Sequence, residues 1–544
     1  MNIIDHDHSF CGRGHILETL RKRMAGLKEG YRQNVALLGG RTMGKTAIVQ
    51  KMMADHDDPA VLIVYLDLES RDFPYFTVQF TKSILYHFLK AQGLPLQEDL
   101  KLLCESCRQS LPQTVAAIEA IQVHLAEGQE TEAVYAALLG LPEIFCNEAK
   151  KSLVLIFDEF QNLANFEIMD VFQELGKRIM TQKNCLYIFT SSYENQARII
   201  LAEKLSLLFG NFEIIAIAPF DLSASQQLID RHLSGIKIGL QLKNFLADFT
   251  GGHPLYLTMM CQELICLCGV FRQEEIYAPI VTQAIENLVF NPWGVISRHF
   301  ELLMQETASN RSNGASVLIA LSEGKHKTGD LAAHLSIKQT QVAQRLNTLL
   351  QAEIIEKNGN YYHIKDKMFK YWIKYVYERR VRGVDLEPGR GRKMFKEEIT
   401  RAVNDFQMIA RKDLSARMVD LLHKFDNESF TLSGRRYNLS MFRDIVPVKM
   451  RIGAGNFFEA LQAQGEEGGW LLVLKKDPVH ENDLSGIIDE MKKMSPRPQR
   501  CVIVSLSGVD DNARIRALQE KLWIWNEQEV NALMHLYDEP YIVR

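Results

Sequence analysis

The sequence predicts an α/β fold: a parallel sheet covered by helices on both faces, then a helical lid, a short helical segment ending in a hairpin, and a second α/β domain. Three observations predict it. Short apolar runs alternate with helical stretches from residue 33 to about residue 220. A glycine-rich loop ending in Gly44, Lys45 and Thr46 joins the first run to the first helix. The texture changes near residue 312 and again across 383–394. At 544 residues the chain has room for three or four domains of roughly 150 residues each.

Residues 33–40 and 60–68 read as buried parallel strands, because both are apolar without polar alternation and the second is rich in β-branched residues. Residues 45–55 between them read as a helix. Residues 75–147 are mostly helical, with breaks near Gly93–Pro95 and Leu111–Pro112. Within them, about 91–147 forms a helical insertion whose apolar residues recur at helical spacing. "SLVLIFDEF" and "CLYIFTSS" supply two more strands around a helix near 166–180, and "FEIIAIAPF" a fifth. Strands alternating with helices require crossovers, hence a parallel sheet wrapped on both sides. Residues 222–290 read as helical, broken at Gly251–Gly252. This divides the first half into a core, 1–220, and a lid, 221–300.

The apolar fraction of 47% and charged fraction of 24% are ordinary for a globular chain. A net charge of −4 provides no whole-chain field toward nucleic acid or membrane. No unbroken run of 18 apolar residues is present, and "MNIIDHDHSF" lacks the layout of a secretory signal. No membrane association is expected, and cytoplasm is the expected location. Cys104 and Cys107 have half the spacing of a zinc site, but no second pair follows, and Cys261, Cys266 and Cys268 lie in an apolar helical run. Reduced thiols are expected.

The loop Gly39-x4-Gly44-Lys45-Thr46 has the Walker A pattern of a P-loop NTPase, with a strand entering and a helix leaving. Glycines let the backbone approach phosphates closely, and backbone N–H groups with the helix N-terminus face the anion. Gly39, Gly40, Arg41, Thr42, Met43, Gly44, Lys45, Thr46 and Ala47 are therefore the expected cradle for ATP. Lys45 is expected to reach the β- and γ-phosphates and Thr46 to bind Mg²⁺. Asp158 and Glu159 close an apolar strand. The first is expected to help hold Mg²⁺, the second to activate the attacking water, so Lys45 and Glu159 are the catalytic candidates. Thr190, Ser191 and Ser192 end the next strand. Ser191 and Ser192 are sensor candidates for the γ-phosphate, with helix capping as the competing role for any one of the three.

These motifs, in this order, resemble the archaeal-type and STAND ATPases of the wider AAA+ group, which includes origin-recognition ATPases. "FCGRGHILETL" at 10–20 is similar to that group's first motif, "APF" at 218–220 to its proline-phenylalanine pair, and "TGGHPLYL" at 250–257 to its lid motif. The resemblance covers about residues 8–380. It implies adenine-side contacts from Gly12, Arg13 and Pro254. Two departures stand out: His253 where many relatives offer a nearby arginine, and no clear arginine finger, with Arg198 the nearest candidate. Both fit a slow switch better than a ring motor.

Residues 301–382 read as a winged helix: helices at "ASVLIALSEG", "TGDLAAHL" (capped by Thr328) and "KQTQVAQRLNTLLQAE", then a wing "IIEKNGNYYHI" turning at Asn358-Gly359. The third helix is expected to bury Val342, Leu346, Leu349 and Leu350 and to present Lys338, Gln339, Gln341, Gln344 and Arg345, residue types suited to phosphates and base edges. Between 312 and 382 there are 12 Lys and Arg against 6 Asp and Glu, a charge of +6 that leaves −10 for the rest. Double-stranded DNA is the expected partner through Lys338, Gln339, Gln341 and Arg345. Packing against proteins is the competing role.

After a linker at 383–394, residues 395–544 resemble restriction-endonuclease-like folds, which archaeal-type ATPases often carry at this end. Asp444 and Lys475 fit two catalytic places, but Val473 stands where a metal-holding acid is required, so no nuclease activity is expected. The expectation for the whole chain is an ATPase switch that couples nucleotide state to DNA engagement. The alternative is a signalling or assembly scaffold that contacts only proteins. The sequence sets no oligomeric state.

Overall fold

The structure is a computed structural model that describes residues 10–68, 72–128, 130–205, 212–308, 314–382, 389–432, 435–452, 456–466, 468–537 and 539–540. It divides into two units. One runs to His232 and includes His253–Leu255; the other holds Leu233–Gly252 and everything from Tyr256.

The first unit is built on five parallel strands: β1 (Asn34–Leu38), β2 (Val61–Asp67), β3 (Ser152–Asp158), β4 (Cys185–Ser191) and β5 (Phe212–Ala216), in the order β2-β3-β4-β1-β5. Side chains alternate between faces. Val35 and Leu37 pack with Ile48, Val49 and Met52 of the helix Lys45–Ala54, and with Leu17 and Leu20 of the helix Gly14–Lys28. Ala36 and Leu38 face the other way, into a core shared with the helices Phe73–Ala91, Leu100–Cys107, Pro112–Ala126 and Thr131–Ala149. With both faces covered, β1 is buried along its whole length, which is why it reads as an unbroken apolar run. The expected insertion is thus three helices on one face of the sheet. The breaks have local causes: Pro112 opens its helix at a position where no N–H is needed, and Asp99 caps the preceding helix by accepting from the amides of Lys101 and Leu102.

The second unit begins with the helices Leu240–Thr250, Pro254–Phe271, Ala278–Phe290 and Val295–Ala308 and the short pair β6 (Lys237–Ile238) and β7 (Glu275–Ile276). The helix Pro254–Phe271 does have the length and mean apolarity of a membrane span, which the count of unbroken apolar residues missed. Gln262 and Glu263 interrupt it, while Tyr256, Leu257, Met260, Cys261, Leu264, Leu267 and Cys268 are buried. The segment read as a winged helix has helices Gly314–Ser322, Thr328–Leu335 and Gln339–Gln351 and a hairpin of β8 (Ile355–Asn358) and β9 (Tyr361–Ile364). Three details differ from expectation. Thr328 is the first helical residue, with Lys327 at the cap position. Leu350 is only half-buried. Asn358 pairs with Tyr361, so the turn residues are Gly359 and Asn360, one place further on, with Gly359 at φ +59.

The linker read at 383–394 is shorter than expected. Residues 383–388 lie outside the described residues, and a helix already runs over Arg390–Ala410. Its Phe395 sits 5.1 Å from the ring of Phe290 and 5.3 Å from Tyr375, and its Phe406 5.6 Å from Phe245. The helix therefore packs on the lid helices rather than starting a separate domain. Beyond it come the helix Leu414–Leu422, a hairpin of β10 (Glu428–Leu432) and β11 (Arg435–Leu439), and a mixed sheet β12-β13-β14-β15-β16. Its strands are β12 (Phe442–Ile452), β13 (Asn456–Gly465), β14 (Gly468–Lys475), β15 (Arg500–Ser505) and β16 (Trp523–Asn526). Sequence reading missed β13 altogether.

That missed strand separates the two nuclease candidates. Asp444 pairs with Gln464, which pairs with Gly469. Lys475 lies six residues beyond Gly469 on β14, about 20 Å away at the rise of a strand. Asp444 is exposed, Lys475 is ion-paired with Asp483, and Val473 is in the core.

Candidate nucleotide site

The loop between β1 and the helix Lys45–Ala54 is shaped by two glycines for different reasons. A Cβ on Gly39 would collide with the carbonyl oxygen of Ile217, where the chain leaves β5. Gly44 has room for a side chain but adopts φ +92, which a glycine reaches without strain. Close approach of the backbone to phosphate, the reason anticipated for both, is thus joined by packing at Gly39. Thr42 holds φ +58, and its hydroxyl donates to the Arg41 carbonyl at 2.6 Å. Arg41 donates to the Tyr193 hydroxyl at 2.6 Å and lies over its ring. Met43 is half-buried, and Ala47 is exposed on the first turn of the helix.

Lys45 is 4% exposed. Its ammonium donates to the carbonyls of Gly39 (2.8 Å) and Gly40 (3.0 Å) and to the Ser192 hydroxyl (2.8 Å). Ser192 in turn holds Glu159 with both its amide (2.8 Å) and its hydroxyl, and Gln161 donates to the same carboxylate at 2.9 Å. Lys45 and Glu159 therefore meet through one serine hydroxyl, with 4.0 Å between ammonium and carboxylate. Glu159 itself sits at φ +56, ψ +48, a left-handed backbone that costs a non-glycine residue of order 1–3 kcal/mol. Such strain, at the end of a strand and beside a buried lysine, aims the carboxylate into the site.

Asp158 is 6% exposed and takes three hydroxyl donors. Thr190 donates to Oδ1, while Tyr65 and Thr46 (3.2 Å) donate to Oδ2. Burial first, then the hydrogen bond to Asp158, pushes the Tyr65 phenol well above its ordinary range. A threonine hydroxyl and a carboxylate oxygen 3.2 Å apart are hard oxygen donors of the type Mg²⁺ takes, so the pair chosen from the sequence fits that ion.

Other candidates are placed differently from expectation. The Ser191 hydroxyl serves its own turn, accepting from the Tyr193 amide at 3.1 Å, so Ser192 and Thr190 are the residues that reach the site. Arg13 is buried, with its guanidinium donating to the Ala218 carbonyl and lying 4.6 Å over Phe220. Burial lowers its pKa. It therefore joins the first motif to the "APF" segment. Gly12 is tight against Phe220 and Ala224 at φ +70, which excludes a Cβ. Pro254 opens its helix half-buried; the contact with the loop comes from His253, whose Nε2 is 3.3 Å from the Thr42 hydroxyl. Arg198 pairs with Glu194 of its own helix at 2.7 Å. Sequence reasoning missed Tyr65, Gln161 and Tyr193. For Tyr65 the sequence carries no signal, since only the pairing of β2 with β3 brings it to Asp158.

In the second unit, Lys338, Gln339, Gln341 and Gln344 are exposed, whereas Arg345 is half-buried and donates to Ser316 at 3.1 Å. The Gln341 side-chain oxygen accepts from the Lys338 amide. The hairpin β8-β9 is covered. Glu356 meets His535 at 3.1 Å, Tyr361 packs on the C-terminal core, and Gly359 lies against the backbone of Ser429.

A five-stranded parallel sheet, a Gly-Lys-Thr loop between strand and helix, and an aspartate-glutamate pair at the end of β3 define a P-loop nucleotide-binding ATPase fold. More narrowly, residues 9–187 match the family model for an AAA ATPase domain, so the first unit carries such a domain. No curated protein matches the sequence. Among solved structures, similarity is found to a Walker-type ATPase of Pyrococcus abyssi, with 16% identity over 67% of this chain and 96% of that one (TM-score 0.48). The ORC2 protein of Aeropyrum pernix, in ADPNP–ADP complexes, is 13% identical over 72% and 94% (TM-score 0.43). The RuvB Holliday junction branch migration motor of Thermotoga maritima is 14% identical over 67% and 96% (TM-score 0.33). With every score below 0.5, these likenesses carry no weight beyond the site geometry.

Proposed function

We propose that the protein is an ATP-binding, slowly hydrolysing switch whose nucleotide state governs engagement of double-stranded DNA through the winged helix at 314–364. The observation that carries the nucleotide half is the Lys45–Ser192–Glu159 chain. A triphosphate in the loop competes for the Lys45 ammonium, which then leaves Ser192. The Ser192 hydroxyl loses that donor but still donates to Glu159, as do the Ser192 amide and Gln161, so phosphate recognition is relayed through Ser192 to a water-activating carboxylate that stays held in place. The loop amides and the N-terminus of the helix Lys45–Ala54 hold the polyphosphate. Glu159 accepts a proton from the attacking water. Thr46 and Asp158 would hold Mg²⁺, which when bound would neutralise charge on the transferred phosphoryl group. Arg198 is tied to its own helix, which favours slow turnover over ring-driven hydrolysis.

The DNA half rests on the exposed Lys338, Gln339, Gln341 and Gln344; most of the +6 charge of residues 312–382 lies beyond the hairpin, at 365–382, where Lys367, Lys374 and Arg380 pair with Asp248, Glu398 and Glu301. The C-terminal sheet has no nuclease chemistry in this reading. One observation favours the scaffold alternative: the hairpin is packed on the C-terminal segment, which leaves the helix Gln339–Gln351 as the face available to DNA. Nine free cysteines accord with a reducing, cytoplasmic setting. The test is ATPase activity of the full-length protein with and without duplex DNA, alongside binding across a salt series. Stimulation, with affinity falling steeply as salt rises, supports the switch; salt-independent or absent DNA binding supports the scaffold.

A further inference from the structure

We infer that Tyr65 is a positioning residue for Asp158, fixing the carboxylate toward Thr46 so that the divalent cation meets a preset pair of oxygens. The inference rests on the ATP-binding reading above.

The parallel register puts Tyr65 beside Ile156, and Asp158 two residues further along β3. Residues two apart share a face of a sheet, so Tyr65, Ile156 and Asp158 point the same way. That face packs on the helix Lys45–Ala54, which carries Thr46. The Tyr65 hydroxyl reaches across and donates to Oδ2 of Asp158, the same oxygen that accepts from Thr46. Thr190, from β4 on the other side, donates to Oδ1. An aspartate χ2 is broad and roughly two-fold when unrestrained. Here three hydroxyls from three elements leave it one orientation. Thr46 and Asp158 belong to the loop and strand motifs; Tyr65 belongs to neither, and only the strand order brings it into the site. Its ring is half-buried against the apolar core on that face, so phenylalanine retains the packing and removes only the donor.

Partners that orient a metal ligand typically change metal affinity by roughly 10–100-fold when removed. The test uses full-length protein with Mn²⁺ as the probe, its binding in the presence of ADP followed by electron paramagnetic resonance. ADP affinity in EDTA is measured separately. Tyr65→Phe is expected to raise the Mn²⁺ half-saturation roughly 10–100-fold, with metal-free ADP affinity and melting temperature unchanged. In an Asp158→Asn background the same substitution is expected to have no further effect. Wild-type Mn²⁺ binding in Tyr65→Phe overturns the inference. So does an equal loss of metal-free ADP affinity, which marks a structural role, or an effect that persists undiminished without the Asp158 carboxylate. If Asp158→Asn alone leaves Mn²⁺ binding unchanged, the parent assignment of Asp158 falls, and this inference with it.

Discussion

Replacing Glu159 by Gln exchanges one carboxylate oxygen for an NH2 group and removes one negative charge, with the rest of the side chain unaltered. The carboxylate accepts from the Ser192 amide at 2.8 Å and from Gln161 at 2.9 Å on one oxygen, and from the Ser192 hydroxyl on the other. The amide fits with its NH2 toward the hydroxyl, which can rotate and accept. The remaining oxygen keeps both N–H donors. The change therefore converts charge-assisted hydrogen bonds to neutral ones, a loss of about 1 kcal/mol of stability. Lys45 keeps its bonds to Gly39 and Gly40, so ATP and ADP affinity should stay within about fivefold, by the same scale of about 1 kcal/mol. Turnover loses its proton acceptor, a factor of roughly 10²–10⁴. Single-turnover hydrolysis of labelled ATP and fluorescence titration with ADP measure the two quantities. Wild-type turnover in the variant refutes the role given to Glu159. A fall in affinity as large as the fall in turnover also refutes it, because Glu159 would then be shaping the loop rather than acting on water.

Lys45→Ala should abolish measurable ATP binding or turnover in the same assays while leaving the sheet folded by circular dichroism, since its three bonds are all local to the site. Lys338→Glu should weaken duplex binding and reduce the slope of log affinity against log salt by about 1; Arg345→Glu is a poorer probe, because Arg345 also holds Ser316. Asp366 is half-buried, and desolvation raises its carboxyl to about 6 while Tyr256 donates to it at 2.5 Å. A folded-state value above the unfolded 3.8 means the protonated form is favoured by folding. Its contribution is complete below pH 4 and is lost as pH rises through about 6, a change of about 3 kcal/mol. Thermal melts from pH 4 to 7 should show this decline in the wild type and a flatter profile in Asp366→Asn; parallel profiles would discount it.

The first unit was legible because four of its five strands, β1 to β4, are buried on both faces along most of their length. Such strands appear as apolar runs without alternation, and the loop and the Asp158–Glu159 pair sit at their ends. The strand β13 was not legible for the opposite reason. "NFFEALQAQG" carries Glu and Gln among its apolar residues and passes equally for a helix edge, whereas its antiparallel partners on both sides identify it in the structure. Losing that strand is what allowed Asp444 and Lys475 to be imagined together. The start of the helix Arg390–Ala410 falls inside the segment taken for a linker, because Gly389 and Gly391 punctuate that stretch. Contacts between strands were the deepest omission. Nothing in "VLIVYLDL" says which strand lies beside it, so the tyrosine that touches Asp158 could be found only once β2 and β3 were seen side by side.

The helix Arg390–Ala410 also constrains how this chain can be shortened. Its Phe395, Ile399, Val403 and Phe406 are all buried, and their aromatic neighbours are Phe245, Phe290, Tyr371 and Tyr375 upstream. A gene cut at the composition break near residue 388 would bare an oily seam on both fragments. At roughly 1.5–3 kcal/mol for each large side chain uncovered, neither piece would keep the solubility of the whole. Expression of either fragment should yield aggregates, and a usable shorter protein would have to retain the chain through residue 410.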